Sequence, residues 1–168
     1  MIEKETAYFS MEQIWRSGQC FRMVPEGENT FAIIAADRYL KAEQKGEQCR
    51  FYCSEEEFEN FWKEYFDLEG DYESCISRIN PNDTYLTKAA QFGSGIRILK
   101  QDLWEMIVSF LISQQNNITR IRRCIENICT AYGQSCVCED GKIYYAFPTP
   151  EALAKCREED LKACNLGY

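Results

Sequence analysis

A chain of 168 residues with 45% hydrophobic and 27% charged content can bury a sizeable core and is too apolar to stay disordered. Its ten cysteines come without a single histidine, which excludes Ser-His and Cys-His nucleophilic pairs within the chain. The formal net charge of −8 opposes a nucleic-acid partner if that charge is spread evenly, because phosphate binding rests on Lys and Arg.

The cysteine spacings 49/53, 124/129 and 136/138 form no pair of C-x-x-C knuckles. No metal and no cofactor are therefore expected, and the cysteines read as reduced thiols acting as small buried apolar groups. Met1 to Ser10 carries acidic residues and no apolar signal core, and no stretch reaches the roughly 18 apolar residues a membrane helix needs. The expectation is a bacterial cytoplasmic monomer without membrane contact.

"RSGQCFRM", Arg16–Met23, reads as a turn entering a strand, with Gly18 where another group can approach closely. Thr30–Ala35, Tyr39–Gln44 and Gln48–Cys53 are short strands punctuated by "ADR" and "KGE", which suits an antiparallel meander. In the last of them Cys49, Phe51 and Cys53 alternate with more polar neighbours, so one face is buried. Ser54 then caps a helix, with Glu57 placed to complete a capping box. Phe58, Phe61, Trp62, Tyr65 and Phe66 follow at helical spacing, an aromatic stripe better suited to a core than to base stacking.

Asn80–Asp83 is a turn that starts another short helix, which "FGSG" at Phe92–Gly95 ends. Beyond it the pattern is mostly helical. Asp102 and Glu105 form a second capping box before "LWEMIVSFLI", and Asn117 caps "ITRIRRCIENICTAY", with Gly133 just past its end. A "CEDGKIYYAF" hairpin follows, then a helix begun by Thr149-Pro150 and a last short helix in "EEDLKACNLGY". That helix has nothing to pack on, so residues 96–168 read as the beginning of a larger helical domain, after a sheet-plus-helices domain at 1–95.

Charge is in fact segregated. Residues 55–73 are dominated by carboxylates, whereas residues 97–123 carry five basic side chains against two acidic ones, a local charge of +3. Within that basic region "SQQNNITRIRR", 113–123, places amides at a helix N-terminus, where free N–H groups and the helix dipole favour anions. Arg120 and Arg123 share a face while Arg122 points elsewhere. Amide side chains can pair bidentately with base edges, and they can equally serve as a hydrated helix connection.

Taken together, "SGQCFRM" (17–23), "GIRILKQDLWEMIVSFLISQQNNITRI" (95–121), "FPTPEALA" (147–154) and "LGY" (166–168) resemble, in that order, the 8-oxoguanine DNA glycosylases of the helix-hairpin-helix superfamily. The resemblance implies an α+β architecture: an N-terminal antiparallel twisted β-sheet with flanking helices, followed by the first helices of an all-α helix-hairpin-helix glycosylase domain. It implies double-stranded DNA containing 8-oxoguanine as the partner, and excision of that base opposite cytosine with abasic-site lyase activity. The Gly18 carbonyl would accept a hydrogen bond from N7–H of the oxidised base. Gln115, Asn116, Asn117 and Arg120 would fill the gap and hold the orphaned cytosine, and Tyr168 would wedge beside it. Gln115 stands where the family more often has asparagine. The family's lysine nucleophile and its aspartate lie beyond the matched region, so no catalytic residue is assigned and the chain alone is expected to be inactive. An alkylated-base glycosylase fragment and a non-catalytic DNA-binding module are the competing expectations.

Overall fold

The computed structural model describes residues 1–166. Its contacts divide the chain into two compact units, one of residues 1–32 with 40–100 and one of residues 33–39 with 101–168. Secondary structure is α+β, as expected. A five-stranded antiparallel sheet has the order β1-β5-β4-β3-β2, built from β1 (Ile2–Glu5), β2 (Met23–Gly27), β3 (Thr30–Ala35), β4 (Arg38–Lys45) and β5 (Gln48–Tyr52). The meander of β3, β4 and β5 follows the strands read from the sequence.

β1 is the strand that apolar patterning passes over. Its sequence IEKE has no alternation, since β1 sits at the sheet edge with three of its four residues exposed. The backbone ladder to β5 holds it, in the register Ile2↔Phe51 to Glu5↔Gln48, and Arg50 Nε donates to Glu3 Oε1 at 2.7 Å across the pair. Charged residues also blunt the exposed edge against further pairing.

α1 (Met11–Ser17) is capped by Ser10, whose hydroxyl accepts from Gln13 N, and it buries Met11 and Ile14. Ser54 caps α2 (Glu55–Glu57) as expected, accepting from Glu57 N at 3.1 Å, while the Glu57 carboxylate is taken by Trp62 Nε1 at 2.9 Å. The chain then widens into a π turn at Phe58–Trp62, closed by Lys63 N donating to Phe58 O, before α3 (Lys63–Tyr65). A wider turn rotates the aromatic stripe. Phe58, Trp62, Tyr65 and Phe66 are buried, whereas Phe61 is half-buried and stacks on Tyr65. Phe51 of β5 meets Phe58 at 5.0 Å and Phe66 at 5.9 Å, so the core of this unit is aromatic, each buried ring contributing roughly 1.5–3 kcal/mol. α4 (Tyr72–Ser77) and α5 (Thr84–Phe92) follow, the latter capped by Asp83 and ending at Gly93.

In the second unit α6 (Leu103–Ser113) packs with α7 (Ile118–Tyr132). Ile121, Cys124, Ile125, Ile128 and Cys129 of α7 are buried at helical spacing. α6 is apolar nearly all round, and its buried side carries Glu105, Ser109 and Ile112 while Phe110 and Leu111 are 63% and 64% exposed. Asp102 caps α6 by accepting from Glu105 N at 2.8 Å, and Glu105 Oε2 accepts from Ala36 N at 3.0 Å. Residues 33–39 belong to this same unit, with Phe147 N donating to Ala36 O and Tyr144 hydroxyl to Asp37 O, both at 2.9 Å.

A hairpin forms where expected, but its first strand, β6 (Ser135–Val137), precedes the stretch 138–147, which supplies the turn and β7 (Ile143–Tyr145); α8 (Pro150–Leu153) starts behind a Thr149 cap. Gly133 does end α7, but with φ −78° rather than a left-handed turn. It is there for space: a Cβ would lie 2.1 Å from Ala146 O and 2.5 Å from Cys129 O. α9 (Glu158–Ala163) completes the described helices. All ten cysteines are free thiols, six of them buried. Among the described residues no helix is long and apolar enough to cross a membrane.

Candidate nucleic-acid interface

The sequence-derived site residues fall into two groups, one in each unit. Gly18 is the C-cap of α1, with φ 76° and ψ 10°, a left-handed conformation that glycine takes without the penalty of a Cβ. Added there, a Cβ would meet nothing within 4 Å, so backbone conformation and not crowding demands glycine. The loop after it is held by Gln19, a residue that sequence reading did not single out. Gln19 Nε2 donates to Arg97 O at 2.8 Å, and Leu99 N donates to Gln19 Oε1 at 3.0 Å.

Arg97 was counted in sequence only as part of a basic stretch, yet it is buried, 5% exposed. Its guanidinium donates to the carbonyls of Ala7 (2.9 Å), Tyr8 (3.1 Å), Asp67 (2.7 Å) and Gly70 (3.2 Å), and lies 4.5 Å from the centre of the Tyr72 ring. Burial lowers its pKa, with Tyr72 and Asp67 opposing, but a guanidinium keeps its charge. Arg97 is thus a structural tie and leaves the exposed basic surface smaller than the composition suggests. The signal that could have marked it is weak: an arginine flanked by Ile96 and Ile98 next to a glycine turn.

The amide run joins α6 to α7. Gln115 adopts φ 49°, the left-handed region in a non-glycine residue, and reverses the chain. Asn116 Nδ2 donates to Ile112 O at 3.1 Å, closing the C-terminus of α6, while its Oδ1 accepts from Asn117 N at 2.9 Å. Asn117 is the N-cap of α7, accepting from Arg120 N at 3.0 Å. The asparagines therefore serve the helix connection, the bland role open at the sequence level. The same bonds hold the turn in one shape.

Gln115, Asn116 and Arg120 are brought together on a cleft of about 420 Å³. Its exposed members include Gln114, Gln115 and Arg120, and its buried ones Ile112, Cys124 and Ile128. Such a cleft offers amide and guanidinium groups above an apolar floor. Arg122 is half-buried and Arg123 exposed, in keeping with their different faces. Tyr168 lies outside the described residues. Among the described residues no group of three or more His, Cys, Asp or Glu is placed to hold a metal ion.

Residues 1–107 match the family model of the 8-oxoguanine DNA glycosylase N-terminal domain, and residues 108–168 match that of the HhH-GPD superfamily base excision DNA repair proteins. An N-glycosylase/DNA lyase of Saccharomyces cerevisiae is 27% identical over 174 residues, covering 94% of this chain and 46% of the yeast protein. The apo form of the 8-oxoguanine glycosylase/lyase of Clostridium acetobutylicum superposes with a TM-score of 0.91 at 39% identity, covering 98% of this chain and 57% of that one. The same clostridial protein in complex with double-stranded DNA containing cytosine opposite 8-oxoG gives 0.90 at 38% identity, covering 99% and 60%. The chain spans about half the length of the curated relatives it matches. The family match extends over both the sheet unit that carries Gly18 and the helices that carry the amide turn, and this chain belongs to the 8-oxoguanine DNA glycosylase family.

Proposed function

We propose that this chain supplies the base-reading part of an enzyme that excises 8-oxoguanine opposite cytosine from double-stranded DNA and then opens the abasic strand. Residues 1–95 serve as its sheet-plus-helices domain and 96–168 as the beginning of its helical domain. The observation that carries the reading is the 38% identity over 99% of the chain to the clostridial protein in complex with DNA containing cytosine opposite 8-oxoG. The Gly18 carbonyl accepts N7–H of the extruded base. Undamaged guanine presents a lone pair at N7, so one carbonyl separates the two bases by attraction against repulsion. Gln115, Asn116, Asn117 and Arg120 occupy the vacated space against the cytosine, with Tyr168 beside it.

Chemistry at the sugar needs an amine nucleophile that this chain does not offer. Lys142 and Lys162 are paired with Asp140 and Glu158, and none of Lys142, Lys155 or Lys162 sits in a GxGxK-like hairpin followed by an acidic residue. The 168-residue chain is therefore inactive by itself. Free thiols throughout and the clostridial relatives suit a bacterial cytoplasmic setting.

Fluorescence anisotropy with labelled duplexes tests the reading. An 8-oxoguanine:cytosine duplex should bind more tightly than a guanine:cytosine one, weakly and with steep salt dependence, and Arg120→Ala should lower the salt slope by about 1. Equal affinity for the two duplexes would overturn base reading. Borohydride should trap no covalent adduct on this chain, and a trapped adduct would show that one of its lysines is a nucleophile.

A further inference from the structure

Gly18 sits at a helix end in a conformation that glycine leaves as readily as it enters, so something else must hold its carbonyl in one direction. A peptide group is planar and trans, which means that the direction of the Gly18 carbonyl is set by the direction of the Gln19 N–H at the other end of the same plane. Two anchors act there. Gln19 N donates to Ser17 Oγ at 3.4 Å, and Ser17 Oγ itself donates back into the helix, to Ile14 O at 2.7 Å. The Gln19 side chain donates to the same Ser17 Oγ at 3.2 Å and also grips residues 97–99, donating to Arg97 O and accepting from Leu99 N. One amide that donates to the carbonyl of residue i and accepts from the N–H of residue i+2 reproduces the pairing of a neighbouring strand.

The gripped segment is itself firm. Arg97 is bonded to four carbonyls, Ile98 N donates to the Tyr72 hydroxyl at 2.9 Å, and Lys100 N donates to Tyr65 O at 2.8 Å. Each residue from 97 to 100 is thus tied to a different part of the unit. Resting on the base-reading role of Gly18, we propose that Gln19 is a positioning residue for substrate discrimination: its side-chain amide clasps residues 97–99 and locks the plane of the Gly18–Gln19 peptide, aiming the Gly18 carbonyl at the oxidised base. Gln19 touches no DNA in this role. Its loss lets the peptide turn, so the carbonyl no longer separates a proton at N7 from a lone pair.

The test compares the wild-type chain with Gln19→Leu, Ser17→Ala and, as a control, Gln13→Leu. Gln13 Oε1 accepts from Gly95 N at 2.8 Å, an anchor of similar kind that does not act on the Gly18–Gln19 plane. Amide hydrogen exchange reads the clasp without DNA: the backbone N–H groups of Leu99 and of residue 19 should exchange faster in Gln19→Leu than in wild type, and unchanged exchange at both overturns the clasp. The preference for 8-oxoguanine:cytosine over guanine:cytosine duplex should fall about fivefold in Gln19→Leu and less in Ser17→Ala, the equivalent of one ordinary hydrogen bond. Gln13→Leu should keep the wild-type preference even if it is less stable. Retained preference in Gln19→Leu, or an equal fall in the control, overturns the positioning role while leaving base reading intact. A wild-type chain without preference overturns base reading and the positioning role with it.

Discussion

The loop at Gly18 and the turn at 114–117, which the proposed function assigns to DNA, are held in opposite ways. The Gly18 loop has local bonds to Ser17 but is fixed to its unit from far along the chain, by Arg97 and Leu99, against a buried guanidinium. The amide turn is fixed by its own neighbours through bonds spanning one to four residues: Asn116 to Ile112, Asn117 N to Asn116, Arg120 N to Asn117. A site fixed by distant contacts shares its fate with the folding of the whole unit. One fixed locally can be altered with little consequence beyond its helix ends.

That contrast breaks most sharply at Arg97. Arg97→Met would leave the carbonyls of Ala7, Tyr8, Asp67 and Gly70 without their donor in a buried place, and a loss of about 3 kcal/mol in urea-unfolding stability is expected. A stability within error of wild type would mean that these bonds exchange freely with water. Gly18→Ala comes next. Since a Cβ there meets open space, only the left-handed backbone is penalised, and thermal denaturation should report about 1–2 kcal/mol. A larger loss would point to crowding that the geometry does not contain.

On the local side, Asn117→Ala removes the α7 cap and should cost about 1 kcal/mol, seen as fraying of the first turn by amide exchange at Arg120. If it instead cost as much as Arg97→Met, the turn would be no less global than the Gly18 loop. Gln115→Asn should be the smallest change, a gain of a few tenths of a kcal/mol, because asparagine tolerates the left-handed region better than glutamine. A shift in melting temperature towards instability would count against strain at Gln115.

Sequence reading succeeded wherever the deciding interaction was short. Ser54, Asp102, Asn117 and Thr149 each cap a helix as their spacing suggests, since a cap bond reaches only two or three residues ahead. The meander of β3 to β5 was legible because a buried face writes itself as alternation or apolar runs. β1 was not, because an edge strand held by its ladder and a Glu3–Arg50 pair needs no apolar face. The second carboxylates of the two capping boxes went elsewhere, Glu57 to the indole of Trp62 one turn further along and Glu105 to the distant Ala36 N.

By itself, then, the sequence determined the periodic elements, the helix boundaries and the location of the amide turn, all of which depend on residues within one or two turns of each other. It also carried, through four separated motifs, the family to which the chain belongs. The tertiary structure alone decided that Arg97 is an internal tie and not a phosphate contact, that α6 turns Glu105 and Ser109 inward with Phe110 and Leu111 outward, and that Gln19 holds the Gly18 loop to residues 97–99. Those outcomes depend on which buried polar group finds which partner, and the partners are separated by tens of residues of chain. Local pattern has no record of them, because the free energy that selects them arises only when the distant segments meet and water is removed from between them.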